Sequence, residues 1–202
     1  MDPDPPVKPP HFPWSTLSLA FVAGLLVLGA SSLVLATAPF STLLGPGGNA
    51  LGAAIHGGAA FLMMVTSTIG LYLAWRLFMG RLRAFPDLQL LTVVTAALTF
   101  ITIVTGNWIY IAYRAKTPDS PRSYFLANMP EIHKIFFEFK EFAALFTLPL
   151  SVAAAFIAWQ YGKDVLERTW TRTALAFLMA LHFFYFMVAF GLGAAVTKLK
   201  GL

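Results

Sequence analysis

Long apolar blocks, separated by short polar or glycine- and proline-rich punctuation, set the pattern of this chain. A helix that crosses a bilayer needs ~20 consecutive, mostly apolar residues. Five blocks meet that length, at about residues 16–38, 50–75, 88–113, 130–159 and 173–196. Ser15 is placed to cap the first, and Gly45, Pro46, Gly47 and Gly48 break the chain before the second. Arg81, Arg83 and Pro86 mark a short basic turn before the third. The stretch 114–128, with Pro118 and Pro121, reads as a polar loop. Asn128 then stands as a cap, with Pro130 and Glu131 in the first turn of the fourth helix. Pro149 predicts a kink in that helix, and the charged stretch 160–172 leads into the last.

The expected fold is therefore all-α, an integral membrane helical bundle of about five transmembrane helices forming one domain over 15–202. Residues 1–14 carry so many prolines that a solvated, extended tail is expected. That tail does not read as a signal peptide, since no basic region leads directly into an apolar one.

Composition supports the membrane reading. Charged residues make up 11% and the mean hydropathy is +0.72, whereas soluble domains carry roughly 25% charge. With no cysteine, disulfides, thiolate metal sites, Cys-ligated iron–sulfur clusters and covalently attached haem are excluded. Any cofactor must be held by His, Met, carboxylate or noncovalent packing. The partners expected are the lipid bilayer, other membrane or extracytoplasmic redox subunits, and quinone; nucleic acid is not among them. Arg76, Arg81 and Arg83 lie in the second loop and Lys163, Arg168 and Arg172 in the fourth, while the first loop holds no Lys or Arg. The positive-inside rule then puts the N-terminus in the cytoplasm and the C-terminus outside, in a bacterial inner membrane. Arg114, Lys116 and Arg122 in the third loop, with Lys198 and Lys200 at the C-terminus, weigh the other way.

Ionisable residues inside spans are the functional candidates, because each costs ~2.5–3.5 kcal/mol at the bilayer centre on insertion scales. They are His56, His133, Glu138, Lys140, Glu141 and His182, with Asn107 as a polar companion. Helical rise places His56, Asn107, Glu138 and Glu141 in one outer layer, His133 further out and His182 near the midplane. His56 sits among Gly52, Ala53, Gly57, Gly58 and Ala60, which strip bulk from its helix. That leaves room for a close-packed neighbour or for a flat macrocycle. His182 lies in an aromatic stretch with Phe183, Phe184 and Tyr185, which suits packing as well as ligation. On the fourth helix, Lys134 precedes Glu138 by four residues, the spacing of an internal ion pair.

Three functions fit. The first is a membrane redox subunit, a small b-type cytochrome passing electrons between quinol and an extracytoplasmic partner in a respiratory or photosynthetic complex. His56, His133 and His182 would be its candidate haem b ligands, and Glu138, Lys140, Glu141 and Asn107 would tune the site or relay protons. The second is a mononuclear transition-metal site from His56, His133, Glu138 and Glu141. The Glu-x-x-His spacing of bundle di-iron proteins is absent. The third is a non-catalytic accessory or anchor subunit. An electron-transfer or accessory role fits better than a stand-alone enzyme. In topology and histidine placement the chain resembles small helical-bundle membrane cytochromes.

Overall fold

A computed structural model describes residues 48–200. The tail and the first expected span lie outside the described residues. The elements are α1 (Gly48–Phe78), α2 (Phe85–Tyr113), α3 (Pro121–Asn128), a π-helical segment (Ile132–Phe137) running directly into α4 (Glu138–Tyr161), α5 (Asp164–Glu167) and α6 (Thr169–Leu199). Four helices among the described residues are long and apolar enough to cross a membrane: Gly52–Phe78, Phe85–Tyr113, Ile132–Tyr161 and Thr169–Leu199. The chain is an integral membrane protein built on a helical bundle.

Each boundary has a local cause. α1 ends in paired bonds from Gly80 N–H to Leu77 O (2.9 Å) and from Arg81 N–H to Arg76 O (2.8 Å). This C-terminal motif needs a left-handed residue, and Gly80 supplies it at φ 66°. Pro86 then fits the first turn of α2, where its missing N–H has no bond to lose. The stretch expected to be a polar loop contains α3. Ser120 caps it by accepting from Ser123 N–H at 3.2 Å, and Pro121 follows at the first helical position. Asn128 ends α3 rather than capping the next helix, and its amide donates to Tyr124 O.

The spanning helices close into a ring in the order α1, α2, α4, α6, so α1 faces α4 and α2 faces α6 across the bundle. The end holding the α1–α2 turn and α5 is sealed by an apolar cluster that includes Leu77, Phe85, Leu88, Ala158, Val165 and Leu175. The opposite end closes on Tyr113, Phe125, Phe137 and Val196. The interior between them is polar. From Leu88 to Ile109 the buried positions of α2 are Thr92, Thr95, Thr99 and Thr102, all threonine. Ser67, Thr147, Ser151 and His182 are buried polar residues of the other helices. A hydroxyl inside a spanning helix is tolerated when it bonds the carbonyl three or four residues back. Thr99 does so to Thr95 O (2.7 Å) and Thr102 to Leu98 O (2.7 Å).

Candidate functional site

The three histidines enter the bundle as separate rungs against α2. His182 meets it at Thr99, His56 at Thr102 and Gly106, and His133 at Tyr113. At ~1.5 Å rise per residue, the His56 rung lies ~8 Å from that of His182 and ~14 Å from that of His133. Two imidazoles sharing one metal need nitrogens only ~4 Å apart, twice a metal–nitrogen bond. The described side chains therefore do not assemble a bis-histidine pair.

Their ring nitrogens differ in what remains free. His133 is buried, and Arg122 Nε donates to its Nε2 at 3.3 Å. The neutral ring then carries its proton on Nδ1 and donates it to Tyr113 Oη at 3.0 Å, so both nitrogens are committed. His182 is buried as well. Thr99 gives its only proton to Thr95 O, so His182 Nε2–H donates to Thr99 Oγ1 at 3.1 Å. His182 Nδ1 faces Ser67 Oγ at 3.5 Å. Beside it lies a cavity of about 20 Å³ lined by Ser67, Thr92, Thr95, Ser151 and Met179, among others. That volume holds one water molecule, and its hydroxyls would satisfy one.

His56 is different. Its Nδ1 lies 3.0 Å from Thr102 O, a carbonyl that can only accept, so Nδ1 carries the proton. Nε2 is left with its lone pair and no hydrogen-bond partner among the described residues. A backbone carbonyl that fixes the tautomer while the other nitrogen stays open is the arrangement that orients a metal-ligating histidine. The ring reaches this position because residue 106 is glycine. A methyl group there would sit 2.9 Å from His56 Cε1.

Lys140 comes from α4, which lies diagonally across the ring from α1, and its side chain is half-buried. Its ammonium lies 4.7 Å from the Phe137 ring centroid, and its Cε would be 3.5 Å from a methyl group on Gly193. Glu141 is half-buried, and its carboxylate and Arg114 lie near the Tyr110 hydroxyl. That hydroxyl is buried outside hydrogen-bonding geometry with any of the described groups. Glu138 and Asn107 are exposed and do not join the interior layer. Lys134 and Glu138 form no ion pair; the ion pair among the described residues joins Asp164 and Arg168 on the surface at 3.7 Å. The π segment explains part of this, because hydrogen bonds spaced five apart rotate residues out of their α-helical alignment. No three His, Asp or Glu side chains come together to hold a metal ion among the described residues.

Three participants escaped the sequence reading. Gly106 looks like any span glycine until its neighbour is known. Tyr113 stands just before the segment read as a loop, and Arg122 lies within it. The threonine column carried a legible signal, spacing of three, four and three along α2, at the period of one helix face. Compared with protein families, curated proteins and solved structures, the chain matches none.

Proposed function

We propose that this chain is a small membrane redox subunit of the b-type cytochrome kind, holding a noncovalent haem b at His56 and passing electrons between quinol and an extracytoplasmic partner. The observation that carries the reading is the His56 ring, with its proton fixed on Thr102 O and its Nε2 lone pair unclaimed. His133 and His182 have their nitrogens committed and serve instead to lock α3 and α6 onto α2. The cavity beside His182, about 20 Å³, is far smaller than the ~300–1,000 Å³ of cofactor sites. Gly57 and Gly58 follow His56 on α1, and a methyl group on either would meet nothing within 4 Å among the described residues.

A bound haem would supply one-electron chemistry. The chain's own residues would ligate it through His56, hold that imidazole in one tautomer through Thr102, and set local charge through Lys140 and Glu141. A dithionite-reduced minus oxidised spectrum of the purified protein tests this, with metal analysis of the same sample. An α-band with about one haem per chain is the expected result. A stoichiometric metal without the band would shift the reading to a mononuclear metal site at His56. Neither band nor metal would leave a non-catalytic anchor.

We also propose that the α1–α2 turn is cytoplasmic, from its Arg76, Arg81 and Arg83 together with Lys163, Arg168 and Arg172. The absence of cysteine makes the check direct. In right-side-out vesicles, Thr117→Cys should react with an impermeant maleimide, and Met79→Cys should react only after lysis. Both positions are exposed. The opposite pattern would reverse the orientation.

A further inference from the structure

α3 is too short to stand as a helix by itself, since isolated helices below ~12–15 residues are marginal in water. Its 8 residues keep their shape because they are fastened to the bundle. Phe125, fully buried, packs into the aromatic cluster with Tyr113 and Phe137. The Lys200 ammonium, just beyond α6, lies 5.3 Å from the centroid of the Tyr124 ring. Arg122 Nε donates to His133 Nε2 at 3.3 Å. That contact is, among the described residues, the one hydrogen bond from an α3 side chain to a spanning helix.

The fastening works in one protonation state only. A guanidinium has no acceptor, so His133 Nε2 must offer its lone pair while Nδ1–H donates to Tyr113 Oη at 3.0 Å. A second proton on the ring would occupy that lone pair and set an imidazolium against the guanidinium. The other charged groups around the ring are Arg114, beyond the end of α2, and Lys134 and Glu138 along its own continuous helix. Glu138 is exposed, and α6 brings the apolar Val196 to this end. Three cations against one solvated carboxylate leave an imidazolium there uncompensated. Moving α3 away relieves the conflict. The docked arrangement therefore holds one proton fewer than the released one, and acid favours release. We propose that Arg122, His133 and Tyr113 form an acid-released latch, which holds α3 on the end of the bundle while the imidazole is neutral and frees it when the ring takes a second proton. On the orientation proposed above, the latch reads the pH of the extracytoplasmic side. It does not depend on what His56 binds.

The distance between α3 and α6 in the full chain, followed as the pH changes, tests the latch. With no native cysteine, Ala127→Cys on α3 and Leu199→Cys on α6, both exposed, each take one spin label. Pulsed dipolar spectroscopy then reads their separation in lipid nanodiscs at about pH 8, about pH 6.5 and about pH 5, across the ordinary range of histidine. A single narrow distance is expected at the high end, and a second, broader population at the low end. One proton lets the ratio of released to docked α3 rise by up to about tenfold per pH unit. In the same labelled background His133→Gln, which offers an acceptor but does not titrate, should keep the narrow distance throughout. Arg122→Gln should do the same, because its amide can accept from an imidazolium as well as donate to the neutral ring. It decides the matter if His133→Gln does not fold. A distance that stays fixed without either substitution, or an acid response that persists in either variant, would overturn the proposal.

Discussion

Gly106→Val is expected to empty the site and loosen the bundle at once. Even the first carbon of the new side chain would lie 2.9 Å from His56 Cε1, closer than such contacts occur. Backbone cannot give way easily, because α1 and α2 pack along most of their length, so the imidazole must swing out. Doing so breaks its bond to Thr102 O, worth about 0.5–1.5 kcal/mol. Overpacking adds about 1–3 kcal/mol. More consequential is the freed tautomer and the displaced Nε2. The affinity for a haem ligated by His56, as proposed, should fall at least about tenfold, a loss of about 1.4 kcal/mol, read by titrating haem and following the α-band. Unfolding of the detergent-solubilised protein should move to lower temperature. Asn107→Val is the control, one residue along and exposed, and should change neither. Retention of the band in Gly106→Val would mean that the imidazole position does not matter.

Phe137→Ala is the second large effect. The ring is 5% exposed and lies against Tyr113 with centroids 4.1 Å apart and planes 2° apart. Tyr110 stacks nearby at 5.6 Å, and the Lys140 ammonium lies 4.7 Å from the ring centroid. Removing a buried Phe costs about 3–5 kcal/mol in soluble cores. Between spanning helices the gain comes from packing rather than from escape from water, so about 3 kcal/mol is expected. Denaturant titration in detergent should register it. Phe136→Ala, on the exposed side of the same turn, should change stability little. The loss should also release Lys140, and Phe137→Leu should restore most of the stability without restoring the cation–π contact. Equal behaviour of Phe136→Ala and Phe137→Ala would contradict the packing described.

The spans were legible in the sequence because bilayer thickness imposes a length that few other structures need. Four of the five expected spans lie among the described residues, in nearly the expected places. Their ends were less legible. α6 begins at Thr169 and α2 at Phe85, beyond the hydrocarbon stretch, because hydrogen bonding carries a helix on past the point where hydropathy falls. The exposure of Glu138 and Asn107 was not legible, since a count of rise gives depth but not azimuth, and the π segment resets azimuth over Ile132–Phe137. Helical rise gave the order of the histidines in depth, His182 innermost and His133 outermost, but that all three meet α2 depends on which helices adjoin, which periodicity within one helix does not encode. Thr102 as the partner of His56 is a backbone contact, and its carbonyl would be there whatever the side chain.

The central claim is that His56, and neither of the other two interior histidines, ligates the redox group. It is tested most directly by the reduced-minus-oxidised spectra of His56→Ala, His133→Ala and His182→Ala beside the wild type. The α-band is expected to disappear in His56→Ala alone and to persist, on less stable proteins, in the other two. A band that survives His56→Ala and vanishes in His133→Ala or His182→Ala would contradict it.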